Sequence, residues 1–228
     1  RHTRYWRDWS SDVCSSDLES GMPNIEATKI VVEVAESISV DKPNVYLYPE
    51  EPTRVDVRIP NWRRITESEP RYPVDGWKVT ALPDGRLITP AGVRDFLFYE
   101  LNAETSRFQT DAGWCVRGGA AQASIEEAMD DMGFLPNEIA DFSEAWDPEF
   151  PAADWITVYP QVDTLTGLRV DPQPENMLRA WFVVADGCRP VEAPVIERVD
   201  RVGYHAAEWG LAFAGYLEKP TVVVEGWR

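Results

Sequence analysis

Residues 42–50 read KPNVYLYPE, and after Asn44 the run Val45-Tyr46-Leu47-Tyr48 offers no polar face. An extended segment of this kind suits a strand covered on both sides, and Pro49 ends it by withdrawing a ladder donor. The core is therefore expected to grow on this strand.

The patterns that follow indicate what surrounds it. Thr53 to Ile59 alternates, with Val55, Val57 and Ile59 on one face and Arg54, Asp56 and Arg58 on the other, as in a half-exposed antiparallel strand. Gly76 to Leu82 and Arg86 to Ile88 flank Pro83-Asp84-Gly85. Pro presets the first turn dihedral, Asp bonds back to the local backbone and Gly accepts positive φ, so this is a hairpin. Residues 96–101, FLFYEL, read as a central strand with Glu100 on the side of Phe96 and Phe98. Trp114 to Arg117 is a short strand, after which the period changes. Ser124-Ile125-Glu126-Glu127 has the form of a capping box, and Gly133 supplies a helix stop. Pro136 or Asn137 opens a second helix to about Trp146, with Ile139, Phe142 and Trp146 on one face and Pro148 beyond its end.

Extended segments return at Trp155 to Tyr159, Leu168 to Val170, Met177 to Ala185, Tyr204 to Trp209 and Thr221 to Glu225; Thr28 to Val34 is a further β-branched strand. Strands thus enclose one pair of short helices near 124–147. Strand and helix do not alternate, so the expected fold class is α+β, mainly antiparallel β in a sandwich-like sheet, and not a parallel βαβ sheet. Residues 42–228 read as one β-rich domain and 19–41 as a lead-in. Tyr-Pro dipeptides at 48–49, 72–73 and 159–160 are each placed to end a strand, at bonds where cis peptides arise.

The first eighteen residues, RHTRYWRDWSSDVCSSDL, follow neither period, and Ser-Ser-Asp occurs at 10–12 and again at 15–17. They resemble translated sequencing adapter; the alternative is a disordered arm, and both stand outside the fold. On the adapter reading the natural N-terminus and any leader peptide lie upstream. The compartment is then open, with an extracellular or envelope setting as the expectation.

The net charge of −17 falls wholly on the remaining residues, because those eighteen carry three Arg and three Asp. Phosphate binding needs a basic stripe, and the longest basic runs are pairs such as Arg63-Arg64, so a nucleic-acid partner is excluded. No run approaches the roughly eighteen apolar residues of a transmembrane helix. Setting Cys14 aside leaves Cys115 and Cys188, either one disulfide in an oxidising compartment or two thiols in a reducing one. His205 is the only histidine beyond residue 18, which excludes a multi-His metal site; neither metal nor cofactor is predicted.

In order, KPNVYLYPE, then YPVDGWKVTALPDGRL at 72–87, FLFYE at 96–100, Gly133-Phe134-Leu135 before a helix ending in Trp, and EWG at 208–210 carry a resemblance. They are similar to a family of bacterial and archaeal proteins whose hallmark is a Lys-Pro-Val-Ile-Tyr-Leu-Tyr-Pro-Glu segment, often behind a secretion or lipoprotein leader. The resemblance spans residues 42–213 and brings no activity with it. Asn44 stands where the family carries Val or Ile, Tyr99 where Trp is expected, and Leu211 where a second Gly is typical. The last change would stiffen a loop if the family uses it to meet a ligand.

Nucleophile chemistry lacks its motifs: there is no Gly-x-Ser-x-Gly elbow, no phosphate-cradling Gly-rich loop and no His-Glu-x-x-His helix. His205, on a strand with Ala207 and Trp209, reads as a surface or satisfied structural histidine. What remains is acidic and aromatic. Glu50, Glu100, Glu144 and Glu208 each sit within two residues of Tyr, Trp or Phe, and Arg179 shares a strand face with Trp181 and Val183. A charge on an apolar face is costly unless paired, so a Glu100–Arg179 bridge is the plain expectation. The sharper one is a cleft lined by Trp77 or Trp209, with one carboxylate as acid and another ionised. Glu100 and Glu208 are the catalytic candidates there, and Glu50, Trp77, Arg179 and Trp209 the ligand-binding ones. Without catalysis the same residues make a glycan- or protein-binding module, which is the preferred reading; a carboxylate-dependent, glycoside-type hydrolase is the alternative, and a bound calcium ranks below both.

Overall fold

The computed structural model describes residues 37–147, 150, 152–162 and 167–214. The expected strands at 28–34 and 221–225 and the adapter-like segment lie outside the described residues. In chain order the strands are β1 (Ser37–Tyr48), β2 (Thr53–Arg58), β3 (Ile65–Glu69), β4 (Trp77–Ala81), β5 (Leu87–Thr89), β6 (Gly92–Arg94), β7 (Leu97–Glu104) and β8 (Trp114–Arg117). Helices α1 (Ala121–Met132) and α2 (Pro136–Trp146) follow, then β9 (Trp155–Gln161), β10 (Arg169–Asp171), β11 (Asn176–Asp186) and β12 (His205–Phe213). A seven-stranded sheet has the order β3-β7-β1-β12-β11-β9-β8, and a five-stranded sheet the order β10-β2-β4-β5-β6.

The fold is α+β and sandwich-like, and the larger sheet is its middle layer. Along β1, Val45 and Leu47 join Val55, Val57, Trp77, Val79 and Leu87 of the smaller sheet in one core. Tyr46 and Tyr48 join Ile125, Met129, Phe142 and Trp146 of the helices in a second core. The expected two-sided cover is thus one sheet and one helical pair. Burying such side chains is worth about 1.5–3 kcal/mol each, and a one-residue slip would exchange the two faces, so the register of β1 is strongly specified. The strand also begins at Ser37, ahead of Lys42, and is paired on both edges, with β7 and with β12.

Between the strands pairing is antiparallel except for β11 with β12, which run parallel, and an isolated parallel bridge joins Ala112 to Glu192. Their crossover, residues 187–204, contains neither helix nor strand. It is tied down by its backbone: Val199 N–H donates to Met132 O at 2.9 Å, and Glu192 exchanges hydrogen bonds with Asp111 and Gly113. Cys188 at its start is joined to Cys115 on β8, with Cα atoms 5.3 Å apart, so the two thiols form one disulfide.

The hairpin forms as predicted, with Asp84 Oδ1 accepting the Arg86 N–H at 3.2 Å. Helix α2 runs between the expected ends. Helix α1 stops at Gly133, whose φ of 99° favours a residue without Cβ, but it starts at Ala121, ahead of the expected capping box. Ser124 lies inside the first turn, donating to Ala121 O at 2.7 Å and accepting the Trp114 Nε1–H at 3.0 Å. Its hydroxyl serves packing against β8 instead of a cap. The Tyr-Pro bonds are not among the cis peptides, which occur at Glu69-Pro70 and Asp171-Pro172, and Pro160 continues within β9. Among the described residues, no helix is long and apolar enough to cross a membrane.

Candidate functional site

Two of the six predicted site residues meet. Parallel pairing sets Arg179 of β11 directly opposite Glu208 of β12. Arg179 donates to Glu208 Oε2 from Nε at 2.7 Å and from Nη2 at 2.5 Å, and Tyr99 O–H donates to Oε1. Glu208 is 0 % exposed and the Arg179 side chain 11 %. The group lies between the two sheets, where Tyr99 and Trp181 belong to the core. A buried carboxylate held on both oxygens is a structural pair. The expected Glu100–Arg179 bridge is replaced by this one. Strand alternation turns Glu100 to the face of β7 opposite Tyr99, so Glu100 and Glu208 lie on opposite sides of the sheet and do not form an acid–base pair across a cleft.

The aromatic candidates are core. Trp77 is buried, donates to Pro70 O at 2.8 Å and packs edge-on against Tyr72 at 4.7 Å. Trp209 is buried on the helix side, edge-on to Phe142 at 5.3 Å. Neither indole is a ligand platform. Glu50 is exposed in the bend after β1. Leu211 sits buried within β12 and not in a loop, so it has nothing to stiffen. Gly210 beside it is closely approached: a Cβ there would lie 3.1 Å from both Pro43 Cγ and Trp181 Nε1, a tight contact that those side chains would have to relieve.

The opening of the segment 42–50 borders a different candidate. Against β12, the ladder of β1 jumps from Asp41 opposite Leu211 to Asn44 opposite Trp209; against β7 it jumps from Val40 opposite Leu101 to Asn44 opposite Phe98. Both ladders break at the same residues, and within the break Lys42 has φ 56°. A non-glycine residue in that region costs about 1–2 kcal/mol and persists only where its surroundings hold it. They do: Lys42 Nζ donates to Ala145 O at 2.7 Å and lies 4.6 Å from the Trp146 ring centre. A cation there also meets the negative end of α2.

Beside this bulge is a cleft of about 320 Å³ lined by Lys42, Asn44, Phe96, Phe98, Asp141 and Glu144. Tyr46 reaches toward it, donating its phenol proton to Asp141 Oδ2 at 2.9 Å. Burial, then the Asp141 charge, pushes the Tyr46 phenol well up, so it keeps that proton. Its oxygen accepts from Asn44 Nδ2 at 3.4 Å. This order, amide to phenol to carboxylate, leaves Asn44 Oδ1 facing away. Asn44 is 4 % exposed, and its Oδ1 meets no donor among the described residues. An orphaned buried acceptor costs about 1–3 kcal/mol. Desolvation pushes the Asp141 carboxyl above its usual range, with Asp95, Glu144 and Glu138 adding and the Tyr46 hydrogen bond opposing. Of these residues only Glu144 was weighed among the acidic candidates in the sequence, and Asn44 stood out there only as a departure from the resembled family. The signal for Asn44 is a lone amide entering an apolar strand, and for Asp141 a second acid one helical turn before Glu144.

A second polar cluster lies at the far end of β1. Glu138, 0 % exposed, takes two hydrogen bonds from Arg201 at 2.7 and 3.0 Å and one from the Leu135 N–H at 2.8 Å. Arg201 lies 5.5 Å from the Tyr48 ring, on which His205 stacks at 5.0 Å. His205 Nδ1 is 2.8 Å from Gly203 O, and burial pushes the imidazole below its usual pKa. This cluster fastens the crossover to α2, in keeping with a structural histidine. Among the described residues, no group of three or more His, Cys, Asp and Glu is placed to hold a metal.

Comparison of the chain with protein-family models, with curated proteins and with solved structures finds no match.

Proposed function

We propose that this is a non-catalytic ligand-binding domain of a secreted or envelope-associated protein, with the cleft at the β1 bulge as its binding site. The observation that carries the proposal is Asn44 Oδ1, a buried acceptor without a donor at the wall of a cleft. The buried indole N–H groups of Trp146, Trp181 and Trp209 also lack a partner among the described residues, and Asn44 differs from them in lining a cleft, where a group arriving from outside would supply the donor. The cleft's volume lies at the small end of the ligand-site range, about 300–1,000 Å³. The Cys115–Cys188 disulfide supports an oxidising compartment, as does the resemblance to the family with the KPVIYLYPE-type hallmark.

The test is a backbone and side-chain amide NMR titration of the full chain with small oligosaccharides, amines and carboxylates. A binding site at the bulge is expected to move Asn44, Phe96 and Phe98 resonances first and saturably. Perturbation elsewhere alone, or none at millimolar ligand, overturns the proposal. A carboxylate-dependent hydrolase is the second reading, favoured by one observation: Asp141, with its raised pKa, shares the cleft with Glu144. Turnover of a chromogenic glycoside panel that disappears in Asp141→Asn would replace binding with catalysis.

A further inference from the structure

The chemistry of the cleft is one-sided. Asn44 Oδ1 asks for a donor, and Asp141 and Glu144 set a negative potential that Asp95 reinforces. Lys42, the base in the lining, is turned to Ala145 O and the Trp146 ring. Phe96 and Phe98 add aromatic wall, which attracts cations and accepts an apolar stem. An anion would meet two carboxylates there. A neutral hydroxyl would satisfy Asn44 and leave the charge unanswered, and a quaternary ammonium would answer the charge and leave Asn44 without a donor.

Resting on the reading of this cleft as the binding site, we infer that it takes a small organic cation with N–H donors, a primary ammonium or a guanidinium on a short apolar stem. One N–H goes to Asn44 Oδ1, the charge is balanced by Asp141 and Glu144, and the stem lies against Phe96 and Phe98. Because Asp141 and Glu144 supply the balancing charge, binding is pH-dependent. The groups that act on Asp141 are Tyr46 from β1, Asp95 ahead of β7, and Glu144 and Glu138 along α2, while Lys42 and Asn44 share its cleft. When Asp141 takes up a proton, one of the charges that balance the cation is lost. Binding therefore weakens as pH falls.

The experiment is calorimetric titration of the full chain at neutral pH with n-butylammonium, n-butylguanidinium, tetramethylammonium, n-butanol, butyrate and maltotriose, with the Asn44 side-chain amide followed by NMR. The two N–H cations are expected to bind saturably, and tetramethylammonium, butanol and butyrate to bind more weakly by about tenfold or more. Asn44→Val and Asp141→Asn should each weaken butylammonium by about tenfold. Glu144→Gln, at an exposed position, should weaken it by about threefold and keeps the test decisive if Asn44→Val does not fold. Equal binding of butanol and butylammonium, or affinity unchanged in Asn44→Val or Glu144→Gln, overturns the inference. If maltotriose or butyrate moves the cleft resonances and butylammonium does not, the cation falls and the binding site stands. If no probe moves them, both fall.

Discussion

Replacing Glu208 with Gln separates a structural carboxylate from a functional one. The substitution keeps the shape and one acceptor for Tyr99 or Arg179, and it removes the charge that balances a guanidinium whose side chain is 11 % exposed. Breaking a buried pair by neutralising one partner costs about 3–5 kcal/mol, and the retained acceptor places Glu208→Gln near the lower end, about 3 kcal/mol. For a domain of this size each kcal/mol lowers Tm by about 2–4 °C, so a fall of about 6–12 °C is expected. Arg179→Met leaves a carboxylate of 0 % exposure without its cation and should cost more, about 4–5 kcal/mol. The double variant restores neutrality and should cost less than the sum by about 2 kcal/mol or more, because the two residues share one interaction. Urea unfolding followed by tryptophan fluorescence, with thermal melts alongside, measures all three corners. A Glu208→Gln cost below about 1 kcal/mol, or additive single effects, would refute the assignment of this pair as a buried structural bridge.

The Cys115–Cys188 bridge closes a loop of 73 residues' separation, for which chain entropy alone gives about 4 kcal/mol. Thiol titration of unreduced, unfolded protein should find only Cys14 reactive, and Cys115→Ser with Cys188→Ser should lower Tm clearly; three reactive thiols would overturn the pairing. Asp141 has a folded pKa above its unfolded value of 3.8, raised first by desolvation, so its favourable contribution is present below that value and is lost as pH rises through the folded pKa. Asp141→Asn keeps an acceptor for Tyr46 and should therefore melt higher than the unsubstituted protein at pH 7 and no higher near pH 3. A Tm difference independent of pH would contradict that sign.

Features set by local periodicity were legible in the sequence. The two-faced run Val45 to Tyr48 announced a covered central strand, the spacing of Ile139, Phe142 and Trp146 announced the buried face of α2, and Pro83-Asp84-Gly85 announced a hairpin. Features set by topology were not. The parallel pairing of β11 with β12 left no mark, because residues 187–204 carry no helical period to signal a crossover. That pairing decides which acid meets Arg179: sequence identifies Glu100, Glu208 and Arg179 as charges needing partners, but the face each presents depends on strand neighbours far apart in the chain. The start of α1 was misplaced for a related reason, since the Ser124 hydroxyl is claimed by Trp114 across the core. The roles of Asn44 and Asp141 stayed hidden because an orphaned acceptor and a partly buried carboxylate are tertiary properties. Nothing in KPN says that the phenol two residues on will spend its proton on a helix.

The position of the cleft follows from the same constraints that make β1 the centre of the fold. Both edges of β1 are hydrogen-bonded and both faces are covered, so a regular strand there could present nothing to a ligand. A site on such a strand requires the ladders to be broken, and on a strand with two neighbours both must break at the same residues. The bulge between Asp41 and Asn44 does this, and Lys42, anchored to the end of α2, offsets its backbone cost. Past the bulge the strand returns to register at Asn44, whose amide is the first side chain on the helix face and the last polar one before the apolar run. On the proposed reading, a Val at 44 would restore an all-apolar wall and remove the acceptor, gaining stability at the expense of recognition.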